Sequence, residues 1–279
     1  MENLKKRIQQ LKKKWPGYKE ILSFYQKIKD EQEKIKPSLK TKPIPLKKEW
    51  KDLLKREGFP LLEKREFPVE MESSIALFRS LCQIGKEANP YMAKKIVKIE
   101  EAIDQKGLEL GKLFTGEAKG EKVADQFGLD EKVLLFLLHE SLKPSLEAGV
   151  KRLQQELNVQ NWLKGYCPIC GSLPYLTLLK EEGKRYLLCS YCGYEWRTER
   201  LSCPYCGNKE QGSLQYFCGE GEESYRIDAC EKCKQYIKTI DLRNIECIDP
   251  ALEDLATLHL DLIASKKGYK RPVPNPWTA

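Results

Sequence analysis

Eight of the eleven cysteines in this 279-residue chain fall into four C-x-x-C pairs, all in its second half. The pairs are Cys167/Cys170, Cys189/Cys192, Cys203/Cys206 and Cys230/Cys233. A C-x-x-C turn points two sulfurs at one spot, and two such turns complete a tetrahedron of thiolates around one metal ion. Glycine follows the second cysteine in three turns (Gly171, Gly193, Gly207), which suits a sharp bend; Lys234 takes that place in the fourth. Between paired turns lie 18 residues in the first case and 23 in the second, room for two strands and a turn. The spacing therefore predicts two sites: Cys167, Cys170, Cys189 and Cys192 around one metal, and Cys203, Cys206, Cys230 and Cys233 around another. A cross-braced pairing, first turn with third and second with fourth, is the alternative. Four sulfurs in a tetrahedron suit zinc or a mononuclear iron equally. Thioredoxin-like dithiol chemistry would need a C-x-x-C at a helix N-terminus in a βαβ setting; here the pairs stand among hairpin signals and come four times.

Three cysteines remain. Cys82 lies among apolar residues and reads as a small buried hydrophobe. Cys218 ends an expected strand as a spare thiol near the second site, and Cys247 sits in a polar connection with its role open. Other chemistry is scarce. The two histidines, His139 and His259, fall in helical runs and read as packing or surface. No phosphate-binding glycine loop and no nucleophile elbow occurs. The paired acids Glu181-Glu182 and Glu222-Glu223 stand in turns and read as solvated. Nothing joins a nucleophile, a base and an oxyanion donor, so no enzyme is expected.

The elements that must position the cysteines change character at Gly165. Before it the chain reads as helical. Leu4, Ile8 and Leu11 mark one apolar stripe; Ile21, Phe24, Tyr25 and Ile28 mark another. Residues 37–46 hold three prolines and read as an extended linker. A helix near 49–57 stops at Gly58, another spans Met71 to Ala88, and Asn89-Pro90 caps and opens a third. A long periodic run covers Asp130 to Leu163, with Pro144 expected to kink or interrupt it. From Tyr166 to Leu242 one plan occurs twice: knuckle, hairpin, knuckle, strand. Expected strands are 175–179, 185–188 and 194–201 in copy one, and 213–217, 224–227 and 235–240 in copy two. A single final helix is expected from the Asp249-Pro250 start to Gly268. The fold class is α+β: a helical domain over 1–165, rubredoxin-like or zinc-ribbon modules over 166–202 and 203–245, and a C-terminal helix and tail over 246–279.

The net charge is +8, and residues 1–65 hold 20 basic against 9 acidic residues. A basic front end can meet nucleic acid or an anionic surface, but lysine and glutamate alternate here as on a solvated helix face. No apolar run approaches the ~18 residues of a membrane span. The basic start lacks the apolar stretch of a signal peptide, so a cytoplasmic location is expected, where thiols stay reduced.

The C-terminal half resembles the bacterial formate dehydrogenase accessory proteins. The resemblance runs through Tyr166-Cys167-Pro168-Ile169-Cys170-Gly171-Ser172, Arg185-Tyr186-Leu187-Leu188-Cys189, Glu195-Trp196, Leu214-Gln215-Tyr216 and Tyr236-Ile237-Lys238. It closes on Asp254-Leu255-Ala256-Thr257-Leu258, Gly268-Tyr269 and Asn275-Pro276, covering about residues 160–279. It implies a cytoplasmic, non-catalytic assembly factor with two four-cysteine metal ions, iron or zinc. It implies binding to the catalytic subunit of a molybdenum- or tungsten-dependent respiratory formate dehydrogenase before export; no nucleic-acid partner and no membrane insertion are expected. The exposed aromatics among Tyr175, Tyr191, Tyr205 and Tyr225 are candidate contacts. Two other classes compete: a zinc-ribbon nucleic-acid binder, from the basic front end and the tyrosines, and an iron redox or electron-transfer protein, from the four-sulfur sites.

Overall fold

A computed structural model describes residues 1–40, 44, 46, 48–105, 107–155, 157, 159, 162–246 and 248–278. Two compact units result, each built from separate chain segments. One comprises Met1–Pro45, Leu62–Glu156 and Pro276–Ala279; the other comprises Leu46–Leu61 and Leu157–Asn275.

The first unit is helical, with α1 (Glu2–Lys14), α2 (Lys19–Ile35), α4 (Met71–Ala88), α5 (Pro90–Gln105), α6 (Leu110–Phe114), α7 (Gly120–Phe127) and α8 (Glu131–Gln154); the intervening α3 (Lys48–Arg56) belongs to the second unit. Leu4, Ile8 and Leu11 are buried as the stripe requires. On α2 the buried face is turned slightly from expectation. Leu22, Tyr25, Ile28 and Gln32 point inward, while Ile21 and Phe24 line a side cavity shared with Trp277. Asn89 caps α5, accepting from the Met92 N–H at 2.8 Å. Asp130 caps α8 through the Val133 N–H. Of the two outcomes expected at Pro144, a kink or an interruption, the interruption does not occur: α8 runs on through it. Proline removes the donor that the carbonyl four residues earlier would use. That carbonyl belongs to Glu140, and the buried Gln32 side chain donates to it at 2.8 Å. The helix stops at Gln154 rather than Leu163. Of the linker expected over 37–46, residues 41–43 and 45 lie outside the described residues; Lys36–Ser38 is a turn of 3₁₀ helix. Among the described residues no helix is long and apolar enough to cross a membrane.

The second unit is a mixed six-stranded sheet with helices on one face. Its strands are β1 (Pro174–Lys180), β2 (Lys184–Cys189), β3 (Glu195–Thr198), β4 (Leu214–Cys218), β5 (Tyr225–Cys230) and β6 (Gln235–Asp241). Each copy of the repeat makes three antiparallel strands. The copies are not separate beads: β1 pairs in parallel with β6, from Leu176↔Lys238 to Leu179↔Asp241, giving the order β3-β2-β1-β6-β5-β4. Leu176, Leu178, Leu188, Ile227 and Ile240 form the core under the C-terminal helices, with Leu260 and Ala264 packed against them.

The expected single C-terminal helix is two, α9 (Pro250–Leu255) and α10 (Leu258–Lys266). Asp249 caps the first as anticipated. The break has a cause in β6. Lys238 is 2% exposed, and its ammonium donates to the Asp254 carbonyl at 2.7 Å and the Thr257 carbonyl at 3.2 Å. Those carbonyls are thereby engaged at the end of α9. Asp254 and Asp261 carboxylates lie 2.6 and 2.8 Å from the same ammonium, and Arg271 pairs with both. A buried charge needs such partners.

Candidate metal centres

The structure gathers Cys167, Cys170, Cys189 and Cys192 into one group, and Cys203, Cys206, Cys230 and Cys233 into another. Within each, the sulfurs all lie within 4.8 Å of one another. The cross-braced pairing is not formed. The knuckles fold alike for local reasons. In copy one the Cys167 N–H donates to the Ser172 carbonyl and the Gly171 N–H to the Cys167 carbonyl, both at 2.9 Å. In copy two Cys203 donates to Asn208 at 2.8 Å and Gly207 to Cys203 at 3.0 Å. Gly171, Gly193 and Gly207 take the left-handed conformation that closes each turn, and so does Lys234, at φ 54°.

The sulfur spacing tests what such a group can hold. A ~2.3 Å metal–sulfur bond in a tetrahedron requires sulfurs ~3.8 Å apart. Cys167–Cys192 and Cys170–Cys192 are 3.7 Å apart and Cys170–Cys189 3.3 Å. In the second cluster Cys203–Cys233 and Cys206–Cys230 are both 3.7 Å apart. Each four-cysteine group could thus hold one metal ion.

The thiols of the first cluster are shifted in opposite directions. Hydrogen bonds from Cys167, Cys189 and Cys192 hold the Cys170 thiol far below its usual range, while burial, with its crowded neighbours, holds Cys167 far above. A bound cation resolves this, because a coordinating thiol is deprotonated outright. In the second cluster burial pushes Cys230 up. The N–H groups of Cys233 and Lys232 and the Asn208 amide outweigh it and bring it down to about 7. Burial raises Cys233 to about 11.

The clusters differ in access. All four cysteines of the first are buried, whereas Cys206 is exposed and Cys233 half-buried in the second. The first is also covered by chain from far away. The Leu61 N–H donates to the Pro168 carbonyl at 2.9 Å, Tyr166 donates to the Gly58 carbonyl at 2.8 Å, and a Cβ on Gly171 would meet Pro60 at 2.8 Å. The first knuckle of the second cluster also packs against the chain on either side of the first knuckle of copy one. A Cβ on Gly165 would come 1.7 Å from the Pro204 carbonyl oxygen, and Tyr205 donates to the Pro174 carbonyl.

Some sequence readings need correction. Glu222 is not solvated: it is 7% exposed and meets His259 Nε2 at 2.5 Å, so the longer turn of copy two folds onto α10. Tyr225 is buried under α9 and donates to Glu253, while Tyr175, Tyr191 and Tyr205 are half-buried. The exposed tyrosine of the sheet is Tyr216. Cys218 is not beside the second cluster. Leu214 pairs with Cys230 at one end of β4, and Cys218 pairs with Arg226 at the other, ~13 Å along the strand. Cys82 is buried, and burial lifts its thiol to about 12. Cys247 lies outside the described residues. The Asn208 contact to Cys230 Sγ, at 3.5 Å, was missed. Its signal was present, since Asn208 stands where copy one has Ser172.

Comparison with known proteins places these clusters in a family. Residues 166–200 match the model described as "FdhE, central domain", and residues 201–278 match "FdhE, C-terminal domain". The "Protein FdhE homolog" of Aquifex aeolicus is 31% identical over 268 residues, 94% of this chain and 90% of that protein. "Protein FdhE" of Escherichia coli is 33% identical over 116 residues, 40% of this chain and 37% of that protein. The crystal structure of the FdhE protein from Pseudomonas aeruginosa superposes with a TM-score of 0.69 at 24% identity, covering 98% of this chain and 93% of that one. The likeness of fold thus includes the helical N-terminal region, as does the sequence match to the Aquifex aeolicus protein.

Proposed function

Because this chain belongs to the FdhE family, the formate dehydrogenase accessory proteins, we propose that it is a non-catalytic cytoplasmic assembly factor. Its client would be the catalytic subunit of a molybdenum- or tungsten-dependent respiratory formate dehydrogenase, bound before export. The observation that carries the reading is the pair of four-cysteine groups with tetrahedral spacing inside the two matched FdhE domains. Each group would hold one iron or zinc ion through Cys167, Cys170, Cys189 and Cys192, or through Cys203, Cys206, Cys230 and Cys233. The ion supplies fixed geometry: structural metal–thiolate bonding is worth many kcal/mol to a small β fold. The chain's own residues then present a rigid sheet to the client.

The test is co-purification of tagged protein from its own anaerobic lysate, with a Cys189→Ser/Cys192→Ser variant in parallel. Formate dehydrogenase catalytic subunit is expected on the wild type and depleted on the variant. Its absence from the wild type, together with full formate dehydrogenase activity in a deletion strain, would defeat the proposal.

A further inference from the structure

We propose that the sheet carries a binding pocket for a small carboxylate group beside the second cysteine cluster. A cavity of about 90 Å³ opens between β2, β4, β5 and the loop 200–205, lined by Arg185, Arg200, Arg226, Asp228 and Tyr216 among others. Arg185 is 3% exposed. Its Nη1 donates to the Ser202 carbonyl at 2.6 Å and its Nη2 approaches Asp228 at 3.4 Å. Its buried Nε–H has no acceptor among the described residues. A buried guanidinium donor left idle is costly and marks a place for an acceptor. Arg200 is exposed, and its guanidinium makes no hydrogen bond or ion pair among the described residues. Arg226 lies over the Tyr216 ring at 5.2 Å, with its Nε 2.8 Å from Asp228.

Three guanidinium groups thus share the cavity wall with one carboxylate and the sulfurs of Cys203 and Cys230. Asp228 is already engaged by Arg226, Arg185 and the Thr239 hydroxyl, the last at 2.7 Å. Cys203 and Cys230 line the same cavity, but no arginine hydrogen bonds to their sulfurs among the described residues. Arg185 and Arg200 also border a wider cleft with Lys184 and Arg197, where four cations face Glu182 and Glu199. That approach favours an anion.

The ligand class follows from shape and charge. A carboxylate is planar, and its two oxygens match the guanidinium fork. The cavity offers about three times the ~30 Å³ share of one liquid water, which limits the guest to a few heavy atoms. That guest is a free small acid or the carboxyl end of a peptide.

Calorimetric titration of the metal-loaded full chain tests this, using formate and acetate with chloride as control. A short peptide with a free C-terminal carboxylate, against its amidated form, makes a second arm. Saturable binding is expected, weakened about tenfold by Arg200→Gln, as for one charge-assisted hydrogen bond. Arg226→Gln should weaken it as well. Arg200 makes no internal bond, so its variant should keep the fold, checked by circular dichroism and metal content. Binding of formate or acetate alone assigns the pocket to a free acid. Binding of the carboxylate peptide, lost on amidation and displaced by acetate, assigns it to a chain end. No saturable binding of any carboxylate, or equal affinity in wild type and Arg200→Gln, overturns the proposal. Either result is independent of client capture.

Discussion

The two halves of the sheet share one local plan and differ in what surrounds it. The first knuckle of each cluster closes with the same pair of backbone hydrogen bonds, and sulfurs lie 3.7 Å apart across both clusters. Only the first is sealed, by the Gly58–Leu61 segment and by complete burial of its cysteines. The second leaves Cys206 exposed and adjoins a cavity rich in arginine. The same four-cysteine set is therefore closed to solvent in one place and open to it in the other, because burial rather than ligand type sets access to the sulfurs.

The largest expected effect separates the clusters directly. Cys189→Ser should cost the first half of the sheet its fold, by more than about 5 kcal/mol. Cys206→Ser should lose one metal ion with a smaller fall in stability; metal analysis and denaturant melts would report both. If the two variants melted alike, the buried-versus-open contrast would fail. In chelator competition the second cluster should release its ion first, followed by thiol titration in time, and simultaneous release would again break the contrast. Lys238→Ala, at the seam between halves, should cost about 3 kcal/mol by leaving Asp254 and Asp261 with Arg271 as their one remaining buried cation. Chemical denaturation should show that loss across both halves at once.

Acid should weaken the same seam. Burial alone would raise the Asp254 carboxyl, but Lys238 and Arg271 outweigh it and hold it below its usual value. A depressed carboxyl contributes stability that is present above its unfolded pKa of ~3.9 and is lost as pH falls toward the folded value. Melting midpoints should therefore fall below about pH 4 and be flat in this respect above pH 5. The smallest effect is at the fourth knuckle. Lys234 occupies the left-handed conformation its three counterparts give to glycine. Lys234→Gly should stabilise the second half by up to about 1 kcal/mol, whereas Gly171→Ala should destabilise the first, having both positive φ and Pro60 in the way.

The cysteine spacing and its turn glycines made the clusters readable, because the knuckle is built within a few residues. All six strands were placed within a few residues for the same reason: hairpins are local. What stayed hidden depends on distant partners. The union of both copies rests on β1 meeting β6. Pro144 inside α8 is tolerated because Gln32, from another helix, takes the orphaned Glu140 carbonyl. The break between α9 and α10 comes from Lys238 on a strand. Glu222 looked solvated because its partner His259 lies on α10. None of these leaves a trace in local pattern.

The parallel seam also sets an order of events during synthesis. β1 emerges early and can pair at once with β2, but its other edge stays open until β6 has been made at the far end of the second copy. A strand edge with Leu176, Leu178 and Leu179 uncovered is the kind that sticks to other chains. Pairing that must wait for a distant strand is slow. The first cluster can thus begin to form on the nascent chain, while the second copy, by completing itself, is what closes the first.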